Sequence, residues 1–153
     1  MFNLLKIFTT NKPSKSFQLE RQLMVDFHNK FKPLRKFFQR RLYYKYHCDI
    51  SHVATIHHTV TFPHPIAIVI GSQATIYENC SIYQNVTIGS NFDSDNAMPT
   101  IHANTIIGTG AKLIGSISIG ANSIIGANAI VTKSIPKNSI VTGVNNIRSR
   151  VKV

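Results

Sequence analysis

Seven histidines in a chain of 153 residues set the first question, since each is a group able to move a proton near neutral pH. His64 differs from the others in its setting, a tight turn between Pro63 and Pro65. A neutral imidazole held in such a turn is suited to act as a general base, a role that contributes about 10²–10⁴-fold to rate. His58 is the competing base. His47, His52 and His57 recur at intervals of five, which would suit a zinc site only if they pointed the same way. Cys48 and Cys80 are too few for a disulfide framework, which points to a reducing, cytoplasmic setting.

What must position these side chains is a repeat of six. Large apolar residues return at every sixth place in three runs: Ile50, Ile56 and Phe62; then Ile70, Ile76, Ile82 and Ile88; then Ile101, Ile107, Leu113, Ile119, Ile125 and Val131. Four places after most of them stands a small or branched residue, among them Ala54, Val60, Ala74, Cys80, Val86, Thr105, Ala111, Ser123 and Ala129. This period is neither helical nor that of a plain strand. It predicts an all-β solenoid in which three hexads close one triangular coil and each coil stacks on the next. Ile70 should then lie under Ile88, Ile101 under Ile119, Ile107 under Ile125, and Leu113 under Val131. The Gly or Asn following the large residue is expected to permit the bend. In this phase His47, His52 and His57 point different ways, so no metal site is expected.

The period breaks twice. Two extra residues fall between Phe62 and Ile70, where His64 sits, and seven between Ile88 and Ile101. Extra residues must leave the wall of a regular solenoid, so residues 90–99 are expected to protrude as a loop. Asp93, Asp95 and Met98 in this loop, and His102 just past it, are candidate acceptor contacts together with His58.

The first 48 residues are different in kind. Apolar spacing over 17–31 predicts an amphipathic helix, and Pro33 opens a second, basic and aromatic, over 34–46. Residues 11–16 read as a flexible link. Residues 1–50 hold eleven Lys and Arg against Glu20, Asp26 and Asp49, so most of the net charge of +11 belongs to this end. The domain reading is a basic helical cap over 1–48, a β-helix over 49–143 with its loop at 90–99, and a tail over 144–153. The basic helix could pack on the first coil, hold an anionic polymer, or lie against an anionic membrane surface; no nucleic-acid motif accompanies it. No apolar run reaches the ~18 residues that span a bilayer.

A hexad repeat with these two interruptions resembles the left-handed β-helix acyltransferases. It is most similar to serine acetyltransferases and to the O-acetyltransferases of colanic acid and capsular polysaccharide synthesis. The resemblance covers residues 48 to about 150 and implies left-handed coiling, acetyl-CoA as co-substrate, and a homotrimer with sites between subunits. Matching the segment 48–71 makes Asp49 and His64 the catalytic pair, with the carboxylate orienting the imidazole. Residues 107–115 and 125–135 resemble coils that contact the pantetheine arm, which places Thr109, Ala127 and Thr132 there. Residues 143–150 resemble the family's C-terminal G-V-P-A-R turn, with Asn145 in place of the proline. Arg148, Arg150 and Lys133 are the candidate partners of the CoA phosphates.

Two departures from the serine enzymes shape the expected function. Pro63 stands where an acidic residue would hold the serine amino group. Ala97, Met98 and Pro99 stand where Arg-His-Pro would grip its carboxylate. A neutral saccharide hydroxyl is therefore the expected acceptor, making the chain a polysaccharide O-acetyltransferase. Serine acetyl transfer and a non-catalytic hexapeptide scaffold are the alternatives.

Overall fold

The computed structural model describes residues 10–28, 30–92 and 97–150. Its body is a prism of three parallel sheets, each built from one strand per coil. The first face carries β1 (Asp49–Ile50), β3 (Val69–Ile70), β6 (Thr87–Gly89), β9 (Lys112–Ile114) and β12 (Ile130–Val131). The second carries β2 (Thr55–Ile56), β4 (Thr75–Ile76), β7 (Thr100–Ile101) and β10 (Ser118–Ile119). The third carries β5 (Ser81–Ile82), β8 (Ile106–Ile107), β11 (Ile124–Ile125) and β13 (Ser139–Thr142). β14 (Asn146–Ser149) pairs antiparallel with β13, so the segment read as a tail folds back onto the third face.

The six-residue period becomes register directly. Ile50, Ile70, Ile88, Leu113 and Val131 stack in one column on the first face. Ile56, Ile76, Ile101 and Ile119 form the second column, and Ile82, Ile107, Ile125 and Val141 the third. All of these side chains except the half-buried Ile56 are buried. Each contributes roughly 1.5–3 kcal/mol of transfer free energy. The small residues four places on are buried too, and the hydroxyls among them are satisfied: Thr105 Oγ1 donates to the His102 carbonyl at 2.8 Å.

The corners are turned differently from the sequence expectation. Asparagines three places after the large residue adopt the left-handed conformation, as at Asn79, Asn104 and Asn122 on the second edge. Their amides hydrogen-bond up the edge, Asn79 to Asn104 at 3.3 Å and Asn104 to Asn122 at 3.2 Å. The glycines immediately after the large residue are not in that conformation. At Gly108, Gly120 and Gly126 the next coil lies against them: a Cβ at Gly108 would stand 2.8 Å from the Ile125 carbonyl oxygen.

Two helices close the open end of the first coil. α1 (Pro13–Asp26) and α2 (Lys32–Tyr46) both begin with proline in their first turn. α1 thus starts inside the segment expected to be a flexible link, and it ends before residue 31. Phe17 is the plug, its ring 5.1 Å from both Tyr46 and Phe62. Beside it Glu20 is fully buried and accepts two hydrogen bonds from Arg41 and one from Lys45. Burial alone would push this carboxyl up; the hydrogen bonds and charges of Arg41 and Lys45 prevail and hold it below the usual range.

Candidate functional site

The chain visits the first, second and third faces in turn, so every coil has three edges, and each candidate residue belongs to one of them. His64 lies where the third face of the first coil passes to the first face of the second. The two inserted residues make this corner wide. Ala67 is left-handed and donates its amide to the Tyr46 carbonyl, which ties the turn to the end of α2. Pro65 is buried, while His64 is exposed, with its ring 6.1 Å from that of Tyr83.

Along this third edge the coils are linked by backbone hydrogen bonds from Asn85 to Ile66, Gly110 to Gln84 and Asn128 to Thr109. His64, Thr109 and Ala127 therefore stand on one edge, in the first, third and fourth coils. Among the described residues the Thr109 and Ala127 amides donate to no other group. Two backbone donors without a partner on one edge are groups that an extended amide-bearing chain could meet. Asp49 opens β1 beside the same edge, its amide bonded to the Ile68 carbonyl, but no hydrogen bond joins its carboxylate to His64.

The other candidates stand elsewhere. Thr132 and Lys133 are on the first edge, where the Thr132 amide is already bonded to Asn145 Oδ1 at 2.9 Å and its hydroxyl accepts from Asn145 Nδ2. Asn145 thus anchors the C-terminal turn by its side chain where the family pattern has proline. Arg148 is exposed on β14, opposite Ile140. Arg150 reaches the second edge, donating to the Asn122 carbonyl at 3.1 Å. Met98 is half-buried against Gly71 and accepts a hydrogen bond from the Gln73 amide, so it packs the first edge as well as bordering the loop. His102, on the second edge, stacks on Tyr77 at 5.3 Å and bonds Ser118. His58 is exposed on that edge, in a cavity separate from that of His64. Asp93 and Asp95 lie outside the described residues. Among the described residues no three His, Cys, Asp or Glu side chains gather to hold a metal.

The cavity beside His64, about 550 Å³, is walled by Pro63, Pro65 and Ile66 on one side and by Lys12, Pro13, Ser14, Lys45 and Tyr46 of the cap on the other. The sequence reading missed Lys12 and Lys45, which come from opposite ends of the two helices. Only the docking of the cap on the first coil brings them to the histidine.

Residues 98–133 match the family model described as bacterial transferase hexapeptide (six repeats). The six-residue repeat over that segment is similar to the repeat of the bacterial hexapeptide transferases. The solenoid is accordingly a left-handed parallel β-helix. The serine acetyltransferases of Mycobacterium tuberculosis and of Buchnera aphidicola are each 46% identical over 56 residues, 37% of this chain and 24% and 20% of theirs. The chain thus spans about a quarter of the length of these curated relatives. Among solved structures, serine acetyltransferase from Brucella abortus strain S19 superposes with a TM-score of 0.82 at 28% identity, covering 90% of this chain and 57% of that one. A serine acetyltransferase in complex with CoA does so at 0.76 and 28%, covering 87% and 55%.

These relatives overturn the polysaccharide acceptor expected from the sequence. The expectation rested on two lost counter-charges at Pro63 and at Ala97–Pro99. Lys12 and Lys45 of the cap bring positive charge to the cavity of His64, which Pro63 lines and Ala97–Pro99 do not, and they replace no acidic group at Pro63.

Proposed function

We propose that the chain is an O-acetyltransferase of the serine acetyltransferase type, moving the acetyl group of acetyl-CoA to the hydroxyl of serine. The observation that carries this reading is the third edge, where an exposed imidazole shares one line with the unengaged amides of Thr109 and Ala127. Acetyl-CoA supplies the acyl group as a thioester. His64 takes the proton of the acceptor hydroxyl as its oxygen attacks, then returns it to the departing thiolate, so no covalent enzyme intermediate is needed. Asp49 is the proposed orienting carboxylate, meeting the imidazole when substrate narrows the corner. Lys12 and Lys45 are the proposed counter-charges for the serine carboxylate, in place of the absent Arg-His pair.

The place of the remaining candidates on the first and second edges supports a homotrimer, in which one of those edges of a neighbour completes the third edge of this chain. Tyr43, Tyr44 and Phe37, all more than half exposed on the basic helix α2, support a peripheral contact with an anionic membrane surface. No described helix is long and apolar enough to cross a membrane.

The test is CoA thiol release from acetyl-CoA with L-serine as sole acceptor. Turnover should fall about 10²–10⁴-fold in His64→Ala. Asp49→Asn should lose less than that. Thiol release no faster with serine than without it would overturn the acceptor, and unchanged turnover in His64→Ala would overturn the base. Absence of CoA binding by calorimetry would instead favour a non-catalytic scaffold.

A further inference from the structure

A second cavity, about 450 Å³, lies between α1 and the second edge of the first coil, on the far side of the cap from His64. It is lined by Lys15, Gln18, Leu19, Arg21, Gln22 and His58. Arg21 is only 3% exposed, yet its Nε has no hydrogen-bond partner. Both ion pairs among the described residues belong to Glu20, with Arg41 and Lys45, so neither involves Arg21. Its guanidinium lies 5.8 Å from the centre of the Phe62 ring, an attraction that leaves its N–H donors unused.

The surrounding polar groups are spoken for. Gln18 Nε2 donates to the Val60 carbonyl at 2.9 Å, which fixes α1 to the coil. Gln22 Nε2 donates to Asp26 Oδ1 at 2.8 Å, and Asp26 acts on Arg21 only through space. Among the described residues no carboxylate lines the cavity. A buried guanidinium left without an acceptor is costly, and a buried charge with no partner more so. The free fork of an arginine matches a phosphate, and Lys15 and Arg21 together bring two positive charges, with His58 as a third donor.

We propose that this cavity binds a phosphate-type dianion, free or carried as an ester on a small metabolite, gripped by Arg21 with Lys15 and His58 at its mouth. The cavity has room for more than the bare anion, within the range of small-ligand sites. The site is independent of the acetyl-transfer reading, since it shares no lining residue with the cavity of His64.

The experiment is calorimetric titration of the full chain with inorganic phosphate, glycerol 3-phosphate and acetate at matched ionic strength. One phosphate or ester should bind per chain, at least tenfold tighter than acetate. Lys15→Gln should weaken it several-fold, and Arg21→Met should abolish it. Preference for the ester over inorganic phosphate would assign a metabolite, and equal affinity the free anion; either supports the site. In phosphate-free buffer Arg21→Met should keep or raise the unfolding temperature, because an apolar side chain of similar length removes an unsatisfied buried donor. Three results would overturn the proposal: no heat with phosphate or ester, binding retained in Arg21→Met, or a Tm drop of several degrees in that variant without phosphate. Displacement of phosphate by CoA would also do so, by making the cavity part of the donor site.

Discussion

His64 owes its position to two residues that the hexad period has no room for. Pro65 is buried and Ala67 is bonded to the end of α2, so the turn is anchored on both sides while the imidazole stays in solvent. The lysines opposite it are less equal than they look. Lys45 already donates to Glu20 at 3.1 Å, whereas no hydrogen bond among the described residues engages the Lys12 ammonium. Lys12→Gln should therefore raise the KM for serine several-fold with little change in kcat, and the difference should vanish with serinamide, which lacks the carboxylate. An unchanged KM in steady-state assays would remove Lys12 from the acceptor site while leaving His64 untouched.

The strands are two to four residues long, and their stability comes from stacking, not from their own length. The coils approach so closely at the glycine corners that a methyl group has no place. At Gly120 a Cβ would overlap the Lys137 amide and the Pro136 carbonyl carbon, both backbone, whereas at Gly89 nothing lies within 4 Å. Gly120→Ala should cost about 1–3 kcal/mol in urea unfolding, as an overpacked site does, and Gly89→Ala less than 1. Equal midpoints for the two variants would refute close approach as the reason for the repeating glycine.

The joint between α2 and the first coil carries its own pH dependence. Arg35 Nη1 is hydrogen-bonded to His52 Nε2, which only the neutral ring can accept, and the His28 ring lies 4.8 Å away. Burial pushes His52 down, and the charge of Arg35 and the neighbouring His28 push the same way. A depressed histidine stabilises the fold fully above its unfolded value of about 6.5 and less as pH falls through the lower folded value. Tm should thus decline as pH is lowered below about 6.5, and His52→Gln should flatten that decline in a thermal scan series.

The proposed assembly extends this logic to the whole molecule. One chain leaves the edge of His64 open to solvent, and the outer faces expose Val69 and Ile130 at 40% and Ile106 at 39%. Sedimentation should give three times the 17.1 kDa of the chain, and a monomer at micromolar concentration would remove the shared site. For α2, binding to vesicles containing phosphatidylserine should be lost in neutral vesicles and fall with salt. Equal binding to both would dismiss an electrostatic membrane contact.

The amino-acid sequence by itself determined the solenoid, its register and its two interruptions, because in a β-helix each large side chain stacks on the matching residue one coil away. Contacts that are local in the repeat are legible in its period: Ile70 over Ile88 follows from counting. The grouping of His64 with Thr109 and Ala127 was legible for the same reason, once the family's motifs were matched. The tertiary structure alone decided what docking of the cap decides. Lys12 and Lys45 line one cavity with His64, and Arg21 is sealed without a hydrogen-bond partner among the described residues. No period links a helix to the coil it covers, so those contacts depend on long-range packing of Phe17, Phe62 and Tyr46, and only the folded chain brings them together.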